Sequence, residues 1–165
     1  MSTLVNTSSA APAPAQRRLS LWAISLVLVG FGLFFAGYLS YTKLTSTNMV
    51  CVANTAIFDC HAVETSRWAS LMGVPVAYLG FMTHVVIGTL LLLERRVPFL
   101  RENGVLLIFG IALGGFAYHC FLTYQAVFDI GKLCPWCLAA HTTMGLQLVV
   151  TSLRLRSTLS GQPAA

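Results

Sequence analysis

Along the chain, apolar positions gather into four long runs separated by polar or charged intervals. The first, residues 19–41, carries no charge; at about 1.5 Å per residue a helix of that length crosses a ~30 Å hydrocarbon layer. The second, 71–93, is stopped by Glu94-Arg95-Arg96-Val97-Pro98. The third, 105–128, has Gly110, Gly114 and Gly115 near its middle, small residues of the kind that let membrane helices approach closely. The fourth covers 138–153, or 134–153 if its helix begins inside Cys134-Pro135-Trp136-Cys137. Arginines followed by an apolar stretch also open signal peptides, but the first run exceeds the usual ~7–15-residue apolar core and no small-residue cleavage site follows, so it is expected to be retained.

The pattern predicts an all-α integral membrane protein: a four-transmembrane-helix bundle (about 19–41, 71–93, 105–128 and 134–153) with a long extracytoplasmic loop, 42–70, between the first two helices. Residues 1–18, rich in Ser, Thr, Ala and Pro and ending in Arg17-Arg18, read as a disordered tail, and 154–165 as a second tail. Composition agrees. Of 165 residues, 56% are hydrophobic and only 9% charged, against roughly 25% charged in soluble domains.

The net charge of +5 brings no nucleic-acid role with it, because the cations stand at the ends of apolar runs instead of forming one surface. Arg17, Arg18, Arg95, Arg96, Arg101, Arg154 and Arg156 fall on the side of the termini, and only Lys43, Arg67 and Lys132 on the other. Positive residues favour the cytoplasm. The termini are therefore expected inside, most simply across a bacterial inner membrane, with Cys51, Cys60, Cys134 and Cys137 on the periplasmic or lumenal side, where disulfides persist.

Candidate chemistry centres on Cys134-Pro135-Trp136-Cys137. Proline suits the first turn of a helix, so the helix amides are expected to point at the sulfurs and favour a thiolate. Two intervening residues allow the second sulfur to close a disulfide on the first. A zinc half-site or two incidental core cysteines are the plainer readings of the motif taken alone. Cys51 and Cys60 in a long loop on the same side strengthen the redox reading, since a mobile pair can exchange with one fixed at a helix start. His141 follows Cys134 and Cys137 along the helix and is a candidate hydrogen-bond partner for a lipid-soluble carbonyl, or else an interhelical histidine. Tyr38 and Tyr41 suit an aromatic belt at the membrane interface. His84 suits an interhelical hydrogen bond, Cys120 a buried structural position, and Asp129 and Lys132 the outer turn. No flavin or dinucleotide motif occurs. The simplest electron acceptor beside a membrane dithiol is a quinone, with no metal, flavin or nucleotide expected.

The order of these features resembles the vitamin K epoxide reductase family over roughly residues 19–153, with a cysteine pair in the first long loop and a C-x-x-C at the start of the last core helix. The closest local likeness is Cys51-Val-Ala-Asn-Thr-Ala-Ile-Phe-Asp-Cys60 followed by Ser66-Arg67-Trp68; the Cys-Pro-Trp-Cys wording and Gly73-Val-Pro-Val-Ala-Tyr-Leu-Gly80 look like the bacterial branch. The resemblance implies that Cys137 faces the quinone (ubiquinone, menaquinone or vitamin K) and that Cys134 exchanges with Cys60. It implies that Cys51 receives electrons from a separate thioredoxin-like thiol protein, supporting disulfide formation. Ser66 and Trp68 then support and cover the site. Vertebrate members carry a tyrosine where this chain has His141. Vitamin K quinone or epoxide reduction proper is an alternative activity. From other classes, four thiolates suit a metal-binding membrane protein, and a loop disulfide suits a tetraspan structural protein.

Overall fold

The computed structural model describes residues 14–47, 49–51 and 55–160; of the two expected tails, 1–13 and 161–165 lie outside the described residues, while 14–18 and 154–159 continue α1 and α5 as helix because no breaker separates them from the apolar runs. Helix α1 (Pro14–Thr45) is followed by a loop that contains the short α2 (Cys60–Glu64), a single 3-10 turn (Arg67–Ala69) and a hairpin of β1 (Ser70–Leu71) and β2 (Val74–Pro75). Helices α3 (Val76–Leu93), α4 (Pro98–Gln125) and α5 (Pro135–Leu159) complete the bundle, with one π turn (Ala126–Ile130) ending α4. α1 and α4 are diagonal partners, each packed between α3 and α5.

Three of these helices are long and apolar enough to cross a membrane, over Leu19–Thr45, Val76–Leu93 and Pro98–Ile130. They are apolar on both sides. Val29, Ile87, Leu91, Ile108 and Ala112 pack into the core with Met144 of α5, while Phe31, Phe34, Val86, Leu106 and Leu113 face outward. A helix hydrophobic all round belongs in lipid, where its backbone groups are satisfied internally. The protein is an integral membrane protein. α5 is as long, but its buried residues include Thr143, Gln147, Thr151 and Arg154, which lower its apolar character below that of the other three.

Several boundaries differ from those predicted, each for a local reason. α3 begins at Val76 because residues 70–75 turn back as a hairpin. Met72 and Gly73 have φ of 52° and 85°, the positive pair that a two-residue turn matched to strand twist requires. α4 begins at Pro98, at its first helical position, and so absorbs Arg101 and Glu102. The three central glycines of that run also part company: Gly110 and Gly114 have no neighbour within 4 Å of an added Cβ, whereas Gly115 lies against Met144 at 3.2 Å. The tightest approach is elsewhere. A Cβ on Gly32 of α1 would fall 2.0 Å from the His84 ring of α3, so only glycine fits there.

At the end where α3 meets α4, Trp22 Nε1 donates to the Leu91 carbonyl at 3.0 Å and Arg95 lies 3.7 Å over the Trp22 ring. Glu94 and Arg154 form a buried ion pair beside them. The loop containing the cysteines covers the opposite end.

Candidate redox site

The site is assembled by short pieces of backbone. Phe58 and Leu133 form a parallel bridge, with Asp59 N donating to the Leu133 carbonyl at 3.0 Å and Leu133 N to the Ile57 carbonyl at 2.9 Å. The next residues in each segment are Cys60 and Cys134, both 2% exposed. Asp59 also caps α2, its carboxylate accepting from Ala62 N at 3.0 Å. Gly131, at φ 67°, ends the π turn and lets the chain reach α5.

Cys51 and Cys60 are joined as a disulfide, with Cα atoms 5.8 Å apart, and Cys134 and Cys137 are free thiols. The motif's own tryptophan holds the far side of the loop. Trp136 Nε1 donates to the Val50 carbonyl at 2.8 Å, and Val50 N donates to the Tyr38 hydroxyl at 3.0 Å. The Tyr38 and Trp136 rings lie 4.6 Å apart. Tyr38 therefore ties the loop to α1, a task its place in a membrane belt does not suggest; Tyr41 is exposed.

Cys134 is the N-cap of α5, and Pro135 the first helical residue. The hydrogen bond from the Cys137 side chain, then the Cys137 and Trp136 amides, pull the Cys134 pKa from 9.0 to about 7, against burial and the charge of Glu64. Under-satisfied amides at a helix start favour an anion there.

Cys60, Cys134 and Cys137 share the wall of a cavity of about 240 Å³ enclosed by α1, α3, α4, α5 and the loop. Ser66 and Trp68 line it as well. Trp68 is fixed from below by its edge-on contact with Phe121, ring centroids 5.5 Å apart, and from outside by Asp129. The Asp129 carboxylate accepts from Trp68 Nε1 at 2.7 Å and from Arg67 at 3.0 Å through both oxygens. Lys132 Nζ donates to the Ala56 carbonyl at 2.8 Å, and Lys43 to the Glu64 carbonyl at 2.9 Å. Asp129 and Lys132 thus do more than mark a turn: with Lys43 they clip the loop to the helix ends. The signal in the sequence was isolated charge beside apolar runs, which does not name its partner.

His141 stands outside the cavity lining. It follows Cys137 by four residues, which turns it about 40° around the helix from that cysteine, and its Nδ1 meets Thr123 Oγ1 at 2.8 Å, on α4. In its place α4 and α3 contribute His119 and His84 to the cavity wall. The His119 and His141 rings lie 5.8 Å apart. His84 Nδ1 donates to the Gly80 carbonyl of its own helix at 2.8 Å, so its bond is within the helix and not between helices. Cys120 is exposed instead of buried, with Sγ 3.7 Å from His141 Nε2. His61 is exposed in the loop.

A covered apolar cavity at one end of a membrane bundle, walled by two free thiols and one sulfur of a disulfide, puts sulfurs capable of redox exchange in reach of an apolar molecule. Residues 23–152 match the model of the Vitamin K epoxide reductase family, and on that match, across most of the chain, the protein belongs to this family of membrane oxidoreductases.

Proposed function

We propose that the protein is a quinone-linked thiol–disulfide oxidoreductase that carries electrons from an external thioredoxin-like dithiol, through Cys51 and Cys60, to Cys134 and Cys137 and on to a membrane quinone. α5 is the fourth crossing, its polar residues turned inward, and the termini face the cytoplasm. The reading rests on one observation above the rest: the Phe58–Leu133 bridge, which joins the segments that carry Cys60 and Cys134, both of which line the cavity. The closed loop disulfide supports it over a four-thiolate metal site, because two of the four sulfurs are already bonded to each other.

The transfers balance as follows. The partner's thiolate attacks the loop disulfide, a second partner thiol resolves the mixed disulfide, and Cys51 and Cys60 are left reduced. Cys60 then attacks Cys134 of a Cys134–Cys137 disulfide and expels Cys137 as thiolate. Cys51 closes on Cys60 and releases Cys134, whose depressed pKa makes it a good leaving group. Cys137 adds through sulfur to a quinone carbon; Cys134 attacks that sulfur, and the ring leaves as quinol with two electrons and two protons. At about 240 Å³ the cavity is smaller than typical drug-sized sites of ~300–1,000 Å³, so it fits a ring head group with its tail left in lipid. His84 and His119 replace His141 as the nearest imidazoles to a quinone oxygen, and Ser66 and Trp68 form the cover.

Trapping tests the relay. Cys137→Ala should accumulate a Cys60–Cys134 mixed disulfide, read by mass spectrometry after alkylation, and lose quinone reduction. A Cys137→Ala protein that turns over quinone normally, or never links the loop to Cys134, overturns the assignment.

A further inference from the structure

The least apolar of the long helices carries its polar residues inward. Thr143, Gln147, Thr151 and Arg154 recur at intervals of three or four residues, along one face of α5, and they are 6%, 1%, 0% and 8% exposed. Ser25 of α1, fully buried, accepts from Gln147 Nε2 at 3.4 Å. Glu94, at the end of α3, accepts from Arg154. Thr143 and Thr151 donate to carbonyls of their own helix, Ala139 and Gln147.

This face has unmet hydrogen-bonding capacity. Gln147 Oε1, Glu94 Oε2 and Arg154 Nη1 are buried with no hydrogen-bond partner among the described residues. A pin between helices needs only a satisfied pair, and polar atoms without partners are costly in a hydrocarbon setting. Water, both donor and acceptor, suits oxygens and an N–H in sequence along a buried face. Ionisable groups inside membrane bundles mark substrate and ion pathways and proton relays. The stripe begins at Glu94 and Arg154, at the end opposite the cysteines, and stops at Met144, which together with Ala140 lines the cavity. Met144 is unbranched and adaptable, a side chain able to change rotamer where the stripe meets the cavity.

We propose that the buried polar face of α5, with Ser25 and Glu94, binds a file of water and delivers the protons of quinone reduction from the Arg154 end to the cavity. The inference rests on the quinone reading above. Electrons and protons then enter from opposite ends. Oxidation of one partner dithiol releases two protons at the cysteine end; reduction of one quinone to quinol takes those two electrons and two protons from the Arg154 end. Each turnover separates charge across the membrane. Lys43 and Glu64, which line the cavity beneath the loop, are the competing source, and they would draw protons from the cysteine side.

The test uses the full chain in liposomes with a pH dye trapped inside, a short-chain ubiquinone, and a reduced dithiol protein outside that reaches only molecules whose cysteines face outward. The interior should become alkaline by two protons per quinol formed, and a protonophore should speed turnover. Gln147→Leu should slow quinol formation at least tenfold without changing the rate at which the external dithiol opens the Cys51–Cys60 disulfide, and Gln147→Glu should keep the wild-type rate. Quinol formation with a static interior pH in the wild type overturns the route, whatever the variants do. So does an unchanged rate in Gln147→Leu. Absence of any quinol, with the loop disulfide reduced normally, overturns the quinone reading itself and the route with it.

Discussion

At the Arg154 end, α3 passes to α4 through residues 94–97 alone, and the closure is made by a buried ion pair, a tryptophan bonded to a carbonyl, and an arginine over that tryptophan's ring. At the Cys134 end, residues 46–75 intervene between α1 and α3, and closure is shared among hydrogen bonds from Lys43, Trp136 and Lys132 and to Tyr38, the more exposed ion pairs Lys43–Glu64 and Arg67–Asp129, and one backbone bridge. One end is short, charged and inward-turned. The other is a cover of separable clips around the Cys51–Cys60 disulfide. The proposed relay gives the contrast a physical reason: thiol exchange requires sulfurs to change partners, which a loop held by separable contacts permits and a helix start holding Cys134 and Cys137 does not need to share.

The comparison breaks first if the Arg154 end proves replaceable. Arg154→Met leaves Glu94 buried, where burial already raises its pKa and the Arg154 charge holds it back; loss of one partner should cost about 3–5 kcal/mol, read as a lower unfolding midpoint in detergent micelles. Replacing both, Arg154→Met with Glu94→Leu, should restore most of that. A single variant as stable as the parent would show that the pair does not fasten this end.

At the cysteine end the first sharpening is a pH profile. The Cys134 pKa of about 7 against 9.0 for an ordinary cysteine leaves roughly half of it ionised at pH 7, ~50-fold more than the ordinary thiol. Alkylation of Cys134 in the reduced protein by a small reagent should therefore rise with pH through 7, and in Cys137→Ala, which removes the main hydrogen bond, the midpoint should move up. The sign for stability follows. Because the folded value lies below the unfolded one, the contribution of Cys134 to the stability of the reduced protein grows as pH rises from about 7 towards 9 and is lost as pH falls through 7. A Cys134 midpoint near 9 would remove the thiolate from the mechanism.

The smallest effect belongs to the clip over the cavity. Asp129→Asn weakens the hold on Arg67 and Trp68, and the expected result is a rise of a few-fold in KM for quinone, with little change in kcat and none in folding. A fall in kcat with KM unchanged would mean that Asp129 serves the sulfur chemistry and not the cover.

Hydropathy and motif spacing were sufficient for the membrane class, the helical core, the cysteine pairs and the family, because each is written in consecutive residues: apolar length decides what lipid accepts, and C-x-x-C at a helix start is a local geometry. Helix ends were less legible, since the hairpin at Met72 and Gly73 and the start at Pro98 depend on backbone angles that hydropathy does not report. The glycines of α4 show the same limit, with only Gly115 turned to a neighbour. His141 meets Thr123 of α4, the interhelical one of the two readings open to it, and His119 and His84 were brought to the cavity by helices whose rotation about their own axes the sequence does not state.

What the residues decided by themselves is the solvent and the chemistry: long apolar runs that only lipid accommodates, and thiols placed where an anion is favoured. Which sulfur meets which, what covers them, and where polar residues of α5 find company were decided by tertiary structure. Those are contacts between segments far apart in the chain, such as Leu133 with Asp59 and Gln147 with Ser25, and a linear pattern carries no record of distance in space.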